Sequence, residues 1–104
     1  MDVEFEQRED KKLCENHQKL KRRHGGQATI IIKRINELEA AVNLSDIKCL
    51  PQTGFHALSG NYKGCYAVYL KHPYRLIFVP KNGNASDLET ITKVSIVEVC
   101  TDYH

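Results

Sequence analysis

The sequence predicts an α+β domain in which two N-terminal helices pack on a twisted antiparallel sheet. Apolar residues with helical spacing are confined to the first half of the chain, and runs rich in aromatic and β-branched residues fill the second half. Helices that precede strands in this way are typical of a helical layer on an antiparallel sheet. With 104 residues the chain suits a single domain, which we assign to residues 1–104.

Composition favours a globular protein of the cytoplasm. Hydrophobic residues make up 41% of the chain and charged residues 27%, which is ordinary for a folded domain. No apolar run reaches transmembrane length and the N-terminus has no signal-peptide pattern, so we expect a cytoplasmic protein with no membrane partner. The four cysteines are far apart and the histidines lack a metal-ligand spacing, so we expect free thiols, no metal and no cofactor.

The first helix is predicted over Val3–His24, where Leu13, His17 and Leu20 share one face and most other residues are charged. Its basic end, Lys19–His24, is favoured at a helix C-terminus by the macrodipole. We interpret that basic run as a solvated face, with contact to phosphate as the less favoured alternative. The Gly-Gly pair that follows is predicted to end the helix.

The second helix, Gln27–Val42, has the clearest periodicity in the chain. An apolar stripe is predicted to pack on the sheet and consists of Ala28, Ile31, Ile32, Ile35, Leu38 and Val42. The charged residues Lys33, Arg34, Glu37 and Glu39 are expected on the opposite side. A further helical turn, capped by Ser45 or Asp46, is predicted up to Leu50 and closed by Pro51.

Four strands are predicted in the second half: a short edge strand at Phe55–Leu58, a hairpin of Cys65–Leu70 and Tyr74–Val79, and a central strand at Thr90–Cys100. In the last strand, the apolar residues change parity between Ile96 and Val97. Either both faces of the strand are covered, or a bulge switches the parity.

The charge distribution of the predicted sheet is uneven. No Asp or Glu occurs between Asp46 and Asp87, and the basic residues of this window are Lys48, His56, Lys63, Lys71, His72, Arg75 and Lys81. A positive local field suits an anionic ligand. The alternative is that strands simply exclude acidic residues, which accounts for the strand interiors better than for the turns.

The sequence also contains the groups that metal-independent RNA cleavage requires. That reaction needs a base for the 2′-hydroxyl, an acid for the leaving 5′-oxygen and cations for the phosphorane charge. Candidates are His56, Lys63, Arg75, Asp102, Tyr103 and His104. Taken singly, each has a simpler interpretation: a surface histidine, a solvated lysine, an arginine paired with Glu98, and a frayed C-terminus.

Three motifs resemble those of HigB-type toxins of the RelE/ParE toxin–antitoxin superfamily, also called plasmid maintenance killer proteins. They are His56-x-Leu58-x-Gly60-x-x-Lys63-Gly64, the strand Tyr74-Arg75-Leu76-Ile77-Phe78 and the final Asp102-Tyr103-His104. The resemblance implies a RelE-like fold and a ribosome-dependent mRNA endoribonuclease. It further implies inhibition by a HigA-like helix-turn-helix antitoxin, through which alone operator DNA would be bound.

The resemblance also assigns roles to individual residues. It implies that His56, Asp102 and His104 are catalytic, that Tyr103 lies at the site, and that Arg75 binds phosphate with Lys63 beside it. One departure is that Ser59 stands where the family has a lysine. Lys63 or Lys71 would then supply the missing positive charge.

Two other functions are compatible with the same sequence. One is a ParE-like protein that inhibits a cellular enzyme by binding it, since one fold can serve both activities. The pair His56 and His104 argues against it, because a binding module has no chemical need for them. The other is an inactive relative that binds only RNA or its antitoxin, which the loss of the lysine at Ser59 would favour.

Overall fold

The computed structural model of the protein describes residues 1–102, so that Tyr103 and His104, two of the predicted site residues, lie outside the described residues. The elements in chain order are β1 (Asp2–Phe5), α1 (Arg8–Glu15), α2 (His17–His24), α3 (Ala28–Ala40), α4 (Leu44–Lys48), β2 (His56–Ala57), β3 (Tyr66–Tyr69), β4 (Tyr74–Pro80) and β5 (Lys93–Asp102). The predicted α+β class is confirmed. None of the helices in this part of the chain has both the length and the apolar character that crossing a membrane requires.

The five strands form one sheet in the order β1-β5-β4-β3-β2. Strands β2 to β5 are antiparallel as predicted, but β1 pairs in parallel with β5, so the sheet is mixed. The predicted helix from Val3 onward is therefore wrong at its start. Val3 and Phe5 pack against the core while their neighbours are exposed, which is the period of a strand.

The predicted first helix is also divided in two at Asn16. This residue has an extended backbone, and its side-chain oxygen accepts a hydrogen bond from the backbone N–H of Lys19 at 3.1 Å. An asparagine that caps the next helix in this way satisfies one of the N–H groups that a helix start leaves unpaired. The break lets α1 and α2 follow different directions, and Leu20 of α2 is buried in the core.

Helix α3 packs on the sheet through Ala28, Ile31, Ile35 and Leu38, as the periodicity predicts. The prediction for Val42 is wrong, because the chain leaves the helix at Ala41 and Val42 is 74% exposed. Ser45 and Asp46 lie inside α4 and not before it. The Asp46 carboxylate instead accepts a hydrogen bond from the backbone N–H of Val42 at 2.9 Å.

The sheet has an apolar cluster on each face. The larger one lies between α3 and the sheet and includes Val68, Leu76, Phe78 and Ile96. A smaller one, built on Leu58, Ala67 and Ile77, covers the opposite face. Ala67 and Ile77 are direct cross-strand partners, and they alternate along their strands with residues of the larger cluster.

Strand β5 is central, as predicted, although it begins at Lys93 and continues to Asp102. Three residue steps on β4, from Arg75 to Phe78, are matched by five steps on β5, from Thr101 to Ile96. Each of the two extra residues marks a bulge that switches the parity of the strand, and the second switch restores it. The change of parity in the sequence thus has a local cause.

Candidate functional site

The sheet face opposite the helices carries His56, Tyr69 and Arg75. His56 pairs with Ala67 on the neighbouring strand, and Tyr69 pairs with Arg75. Directly paired residues share a face of the sheet, and so do residues two apart on one strand. These three side chains therefore lie on the same face as the smaller apolar cluster.

The ring of Tyr69 contacts both His56 and Arg75. The guanidinium carbon of Arg75 lies 4.5 Å from the centre of this ring, within the range of a cation–π interaction. The His56 ring lies on it at a centroid distance of 6.0 Å, tilted by 53°. Tyr69 remains 43% exposed, so an aromatic surface flanked by an imidazole and a cation faces solvent. Tyr69 was not among the predicted site residues.

The tautomer of His56 follows from its hydrogen bond. The Nδ1 atom lies 2.7 Å from the carbonyl oxygen of Gly54. Because a carbonyl can only accept, Nδ1 carries a hydrogen and donates it. The Nε2 atom is then the nitrogen that can take up or release a proton toward a ligand.

A buried arginine fixes the segments on either side of this site. Arg34 of α3 is 6% exposed, although the sequence pattern places it on the solvent side of the helix. Its Nε–H donates to the carbonyl of Tyr69 at 2.7 Å, and its Nη2–H donates to that of Gln52 at 2.8 Å. Nη1 forms an ion pair with Glu37 at 2.7 Å. Arg34 thus ties the end of β3 and the turn before Gly54 to one helix.

Arg75 makes backbone contacts in place of the predicted pairing with Glu98. Its Nη1–H groups donate to the carbonyls of Pro73 and Tyr74 at 3.1 and 3.0 Å. Glu98 instead accepts a hydrogen bond from the hydroxyl of Tyr62 at 3.5 Å. The guanidinium keeps further N–H groups for a ligand, since it carries five in all.

The structure separates the two predicted lysines. Lys63 is exposed and follows a 3-10 turn whose Tyr62 packs on the smaller apolar cluster, and so on the face that carries Arg75. Lys71 lies in the β3–β4 turn, and its ammonium is directed toward Gly26 at the start of α3. Only Lys63 is therefore near the face of His56.

Asp102 lies in β5, three strands away from His56. It is exposed and pairs with Tyr74 across the β4–β5 ladder, which places it on the sheet face opposite to that of His56 and Arg75. Strands β5 and β2 are separated by three strand spacings of about 4.8 Å, or roughly 14 Å in all. The two side chains are thus too far apart to exchange a proton directly.

A cavity of about 350 Å³ opens beside His56 at the β2 edge of the sheet. Its wall includes Lys48 of α4 and Ser86 of the β4–β5 loop. Neither was predicted as a site residue, although Lys48 belongs to the stretch that lacks acidic residues. That absence was the signal that could have identified this lysine.

Within residues 1–102, no three His, Cys, Asp or Glu side chains are grouped so that they could hold a metal ion. The four cysteines are free thiols. Burial, together with the nearby charges of Asp10 and Glu15, raises the pKa of Cys14 to about 12. Burial also raises the pKa of Cys65 and of Cys100, so these thiols are protonated and weakly nucleophilic near neutral pH.

The fold is similar to that of a YoeB/ParE toxin from Agrobacterium tumefaciens. The two structures align with a TM-score of 0.57 and 12% sequence identity over 100% of each chain. No known protein family and no curated protein matches this chain in sequence. The likeness therefore shows that the chain shares the fold of this toxin.

Proposed function

We propose that this protein is the toxin of a type II toxin–antitoxin module and that it cleaves mRNA on the ribosome without a metal ion. The observation that carries the proposal is the grouping of His56, Tyr69 and Arg75 on one exposed sheet face. The shared fold with a YoeB/ParE toxin supports the toxin class. The sequence motifs support the HigB type within the RelE/ParE superfamily, and a cytoplasmic location follows from that function.

The proposed reaction is attack of the RNA 2′-oxygen on the adjacent phosphorus. The P–O2′ bond forms as the P–O5′ bond breaks, a base takes the 2′-hydroxyl proton, and an acid protonates the leaving 5′-oxygen. The products are a 2′,3′-cyclic phosphate and a 5′-hydroxyl end. No oxidant, metal or second substrate is required.

We assign the roles from the sequence motifs, together with the shared sheet face of His56, Tyr69 and Arg75. His56 exchanges a proton through Nε2, and Asp102 or His104 serves as the second proton-transfer group. Arg75 and Lys63 stabilise the charge of the pentavalent phosphate. Tyr69 provides an aromatic surface on which an unpaired base can stack, and we assign the same role to Tyr103 from the sequence motif. The assignment of acid and base between the two histidines and Asp102 stays open.

The proposed partners are mRNA, the ribosome and a HigA-like helix-turn-helix antitoxin. The antitoxin would block the toxin in growing cells, and contact with operator DNA would occur only through it. A cationic, partly aromatic surface suits single-stranded RNA, because both the phosphates and the bases find partners on it.

Inducible expression in bacteria, with growth followed and transcript ends mapped, tests the proposal. The wild type is expected to arrest growth and to produce transcripts with new 5′-hydroxyl ends. His56→Ala and deletion of His104 should each abolish both effects without unfolding the protein, and Arg75→Ala should weaken RNA binding and cleavage. His72→Ala, which changes an exposed histidine of the β3–β4 turn, is the matched control and should remain toxic.

One observation favours the alternative of a ParE-like protein inhibitor. Asp102 and His56 are three strands apart, and a surface that only binds a protein needs no such pair to converge. Growth arrest with intact transcripts would establish this alternative. RNA binding without growth arrest would instead identify an inactive relative.

A further inference from the structure

We propose that the protein has a second phosphate-binding site, in a groove on the helix side of the sheet, and that the backbone of RNA occupies it. The groove has a volume of about 670 Å³, and its polar wall is formed by His17, Lys21, Gly25, Gly26, Lys33 and Lys71. It lies apart from the face that carries His56 and Arg75. The choice of RNA as the ligand rests on the proposed function, whereas the binding of phosphate does not.

Three separate elements bring the cations of this groove together. Lys21 comes from α2, Lys33 from α3 and Lys71 from the β3–β4 turn. The ammonium of Lys71 lies 3.7 Å from the position that a Cβ atom on Gly26 would occupy. No sequence pattern groups these lysines, because only the fold places the turn against the junction of α2 and α3.

The turn that carries Lys71 is fixed by Gln27. The side-chain amide of Gln27 donates to the carbonyl of Lys71 at 3.1 Å, and the backbone N–H of Lys71 donates to its oxygen at 3.0 Å. This paired contact holds the backbone of Lys71 and leaves its ammonium for a ligand. Because the backbone of the turn is already fixed, binding a ligand there costs less entropy of loop ordering.

The positive charge of the groove is not neutralised by the protein. Among residues 1–102, no Asp or Glu lines the groove. The ion pairs of this part of the chain engage Arg34, Lys81 and Lys93, and none engages the three groove lysines. A concave surface with charge of one sign focuses the electrostatic field and attracts an anion.

The size and lining of the groove suit a nucleotide phosphate better than a carboxylate. The groove lies where α2 ends and α3 begins, so the dipole of α3 attracts an anion, the C-terminal end of α2 opposes it, and the lysine charges decide the sign. The groove is larger than one phosphate, and Ile30 in its wall can contact an attached sugar or base. A nucleotide unit therefore matches both its charge and its size.

The groove and the candidate active site are on opposite sides of one turn. Tyr69 and Arg75 form the last pair of the hairpin before that turn, and Lys71 lies within it. An RNA strand that passes around the turn could contact Arg75 on one side and Lys71 on the other. The second site would then hold the chain of the substrate without taking part in its cleavage.

The test compares two double variants. The groove variant is Lys33→Gln/Lys71→Gln, and its control is Lys11→Gln/Lys12→Gln, which removes the same charge from the exposed part of α1. The probe is a 2′-O-methyl RNA oligonucleotide, which binds but cannot be cleaved because its 2′-oxygen carries no proton. Binding is measured between about 0.05 and 0.2 M salt. The groove variant is expected to bind about tenfold more weakly at ~0.1 M salt, with a salt slope smaller by about 1. Circular dichroism checks that both variants are folded.

A second measurement uses inorganic phosphate alone. Saturable shifts of the Gly25 and Gly26 amide resonances are expected in the wild type and not in the groove variant. Equal RNA affinity of the two variants would overturn the proposal. It would also be overturned if polyglutamate displaced the bound oligonucleotide as effectively as unlabelled RNA does. A further outcome is that the groove variant binds RNA more weakly while the wild type leaves cellular transcripts intact. That combination would support the second phosphate-binding site and refute the proposed ribonuclease activity.

Discussion

The backbone of Gly54 lies directly against the ring of Tyr69. A Cβ atom on Gly54 would come within 2.1 Å of the Cδ2 atom of that ring, and the residue has a φ of +57°. The same residue accepts the hydrogen bond from His56. One glycine therefore determines both where the aromatic surface lies and which nitrogen of the histidine is available.

Gly54→Ala is expected to destabilise the protein and displace Tyr69. The left-handed backbone alone costs about 1–2 kcal/mol for a residue with a side chain, and the clash with the ring adds a further ~1–3 kcal/mol. Gly60→Ala is the control, because Gly60 has a φ of +63° but open space around it. Urea unfolding of the two variants separates the cost of the left-handed backbone from the cost of the clash with the ring. Equal losses of unfolding free energy would show that the ring moves aside freely.

Tyr69→Leu is expected to weaken binding of single-stranded RNA. Loss of one base-stacking surface costs about 1–3 kcal/mol, which corresponds to a reduction in affinity of roughly 5- to 150-fold. Tyr74→Leu is a close control, since Tyr74 is 38% exposed but lies on the opposite face of β4. Fluorescence titration with a 2′-O-methyl oligonucleotide measures both. The proposed role fails if the two variants bind equally well.

Arg34→Ala is expected to lower the free energy of unfolding by about 3 kcal/mol. The substitution leaves two backbone carbonyls without their donor and removes the cation from a largely buried Glu37 carboxylate, which keeps only the side-chain amide of Gln52. Lys33→Ala, at an exposed position of the same helix, should change stability by less than about 0.5 kcal/mol. Thermal unfolding followed by circular dichroism measures the difference. Similar values for the two would mean that water replaces the arginine.

Ile35→Ala is expected to cost about 2–4 kcal/mol, because Ile35 is 8% exposed and the shorter side chain leaves a cavity in the core. Val42→Ala removes apolar carbon from a side chain that is 74% exposed and should have almost no effect. Denaturant unfolding with unchanged m-values makes the comparison valid. A loss near zero for Ile35→Ala would mean that α3 does not pack as described.

His24 is expected to make the protein less stable in mild acid. Burial first, and then the Arg23 charge, lower the pKa of His24 from 6.5, while Asp10 acts in the opposite direction. The stabilising effect is complete above pH 6.5 and is lost as the pH falls through the lowered pKa of the folded state, because the unfolded chain then binds more protons. His24→Gln should flatten the stability profile between about pH 5 and pH 7.5.

Asp10 lines one small cavity together with His24 and is a second group that acts in a lower pH range. Burial raises the pKa of Asp10 from 3.8, although Arg23 and His24 oppose the shift. Its contribution is present below pH 3.8 and is lost as the pH rises through the raised pKa. His72→Gln serves as the control for His24→Gln, and a profile that His24→Gln leaves unchanged would contradict the assignment.

The pattern of apolar residues was enough to predict helix α3, the β3–β4 hairpin and the central position of β5. In each of these segments, the pattern of apolar residues extends over several positions and indicates which face is buried. The motifs around His56 and Arg75 likewise lie next to one another in sequence or across a single hairpin. Such features are encoded by neighbouring residues, so the sequence is sufficient to predict them.

The contacts that join distant segments could be seen only in the folded protein. Strand β1 is too short for its pattern to indicate a strand, and it is held by a partner some ninety residues away in β5. Arg34 has the spacing of a solvent-facing residue, but the ends of β3 and of the turn at Gln52 cover it. Lys71 lies within the β3–β4 turn and its ammonium is directed to the helix side, away from the face of Arg75. In each case the feature depends on contacts between residues far apart in sequence, and a local pattern of residues cannot predict such contacts.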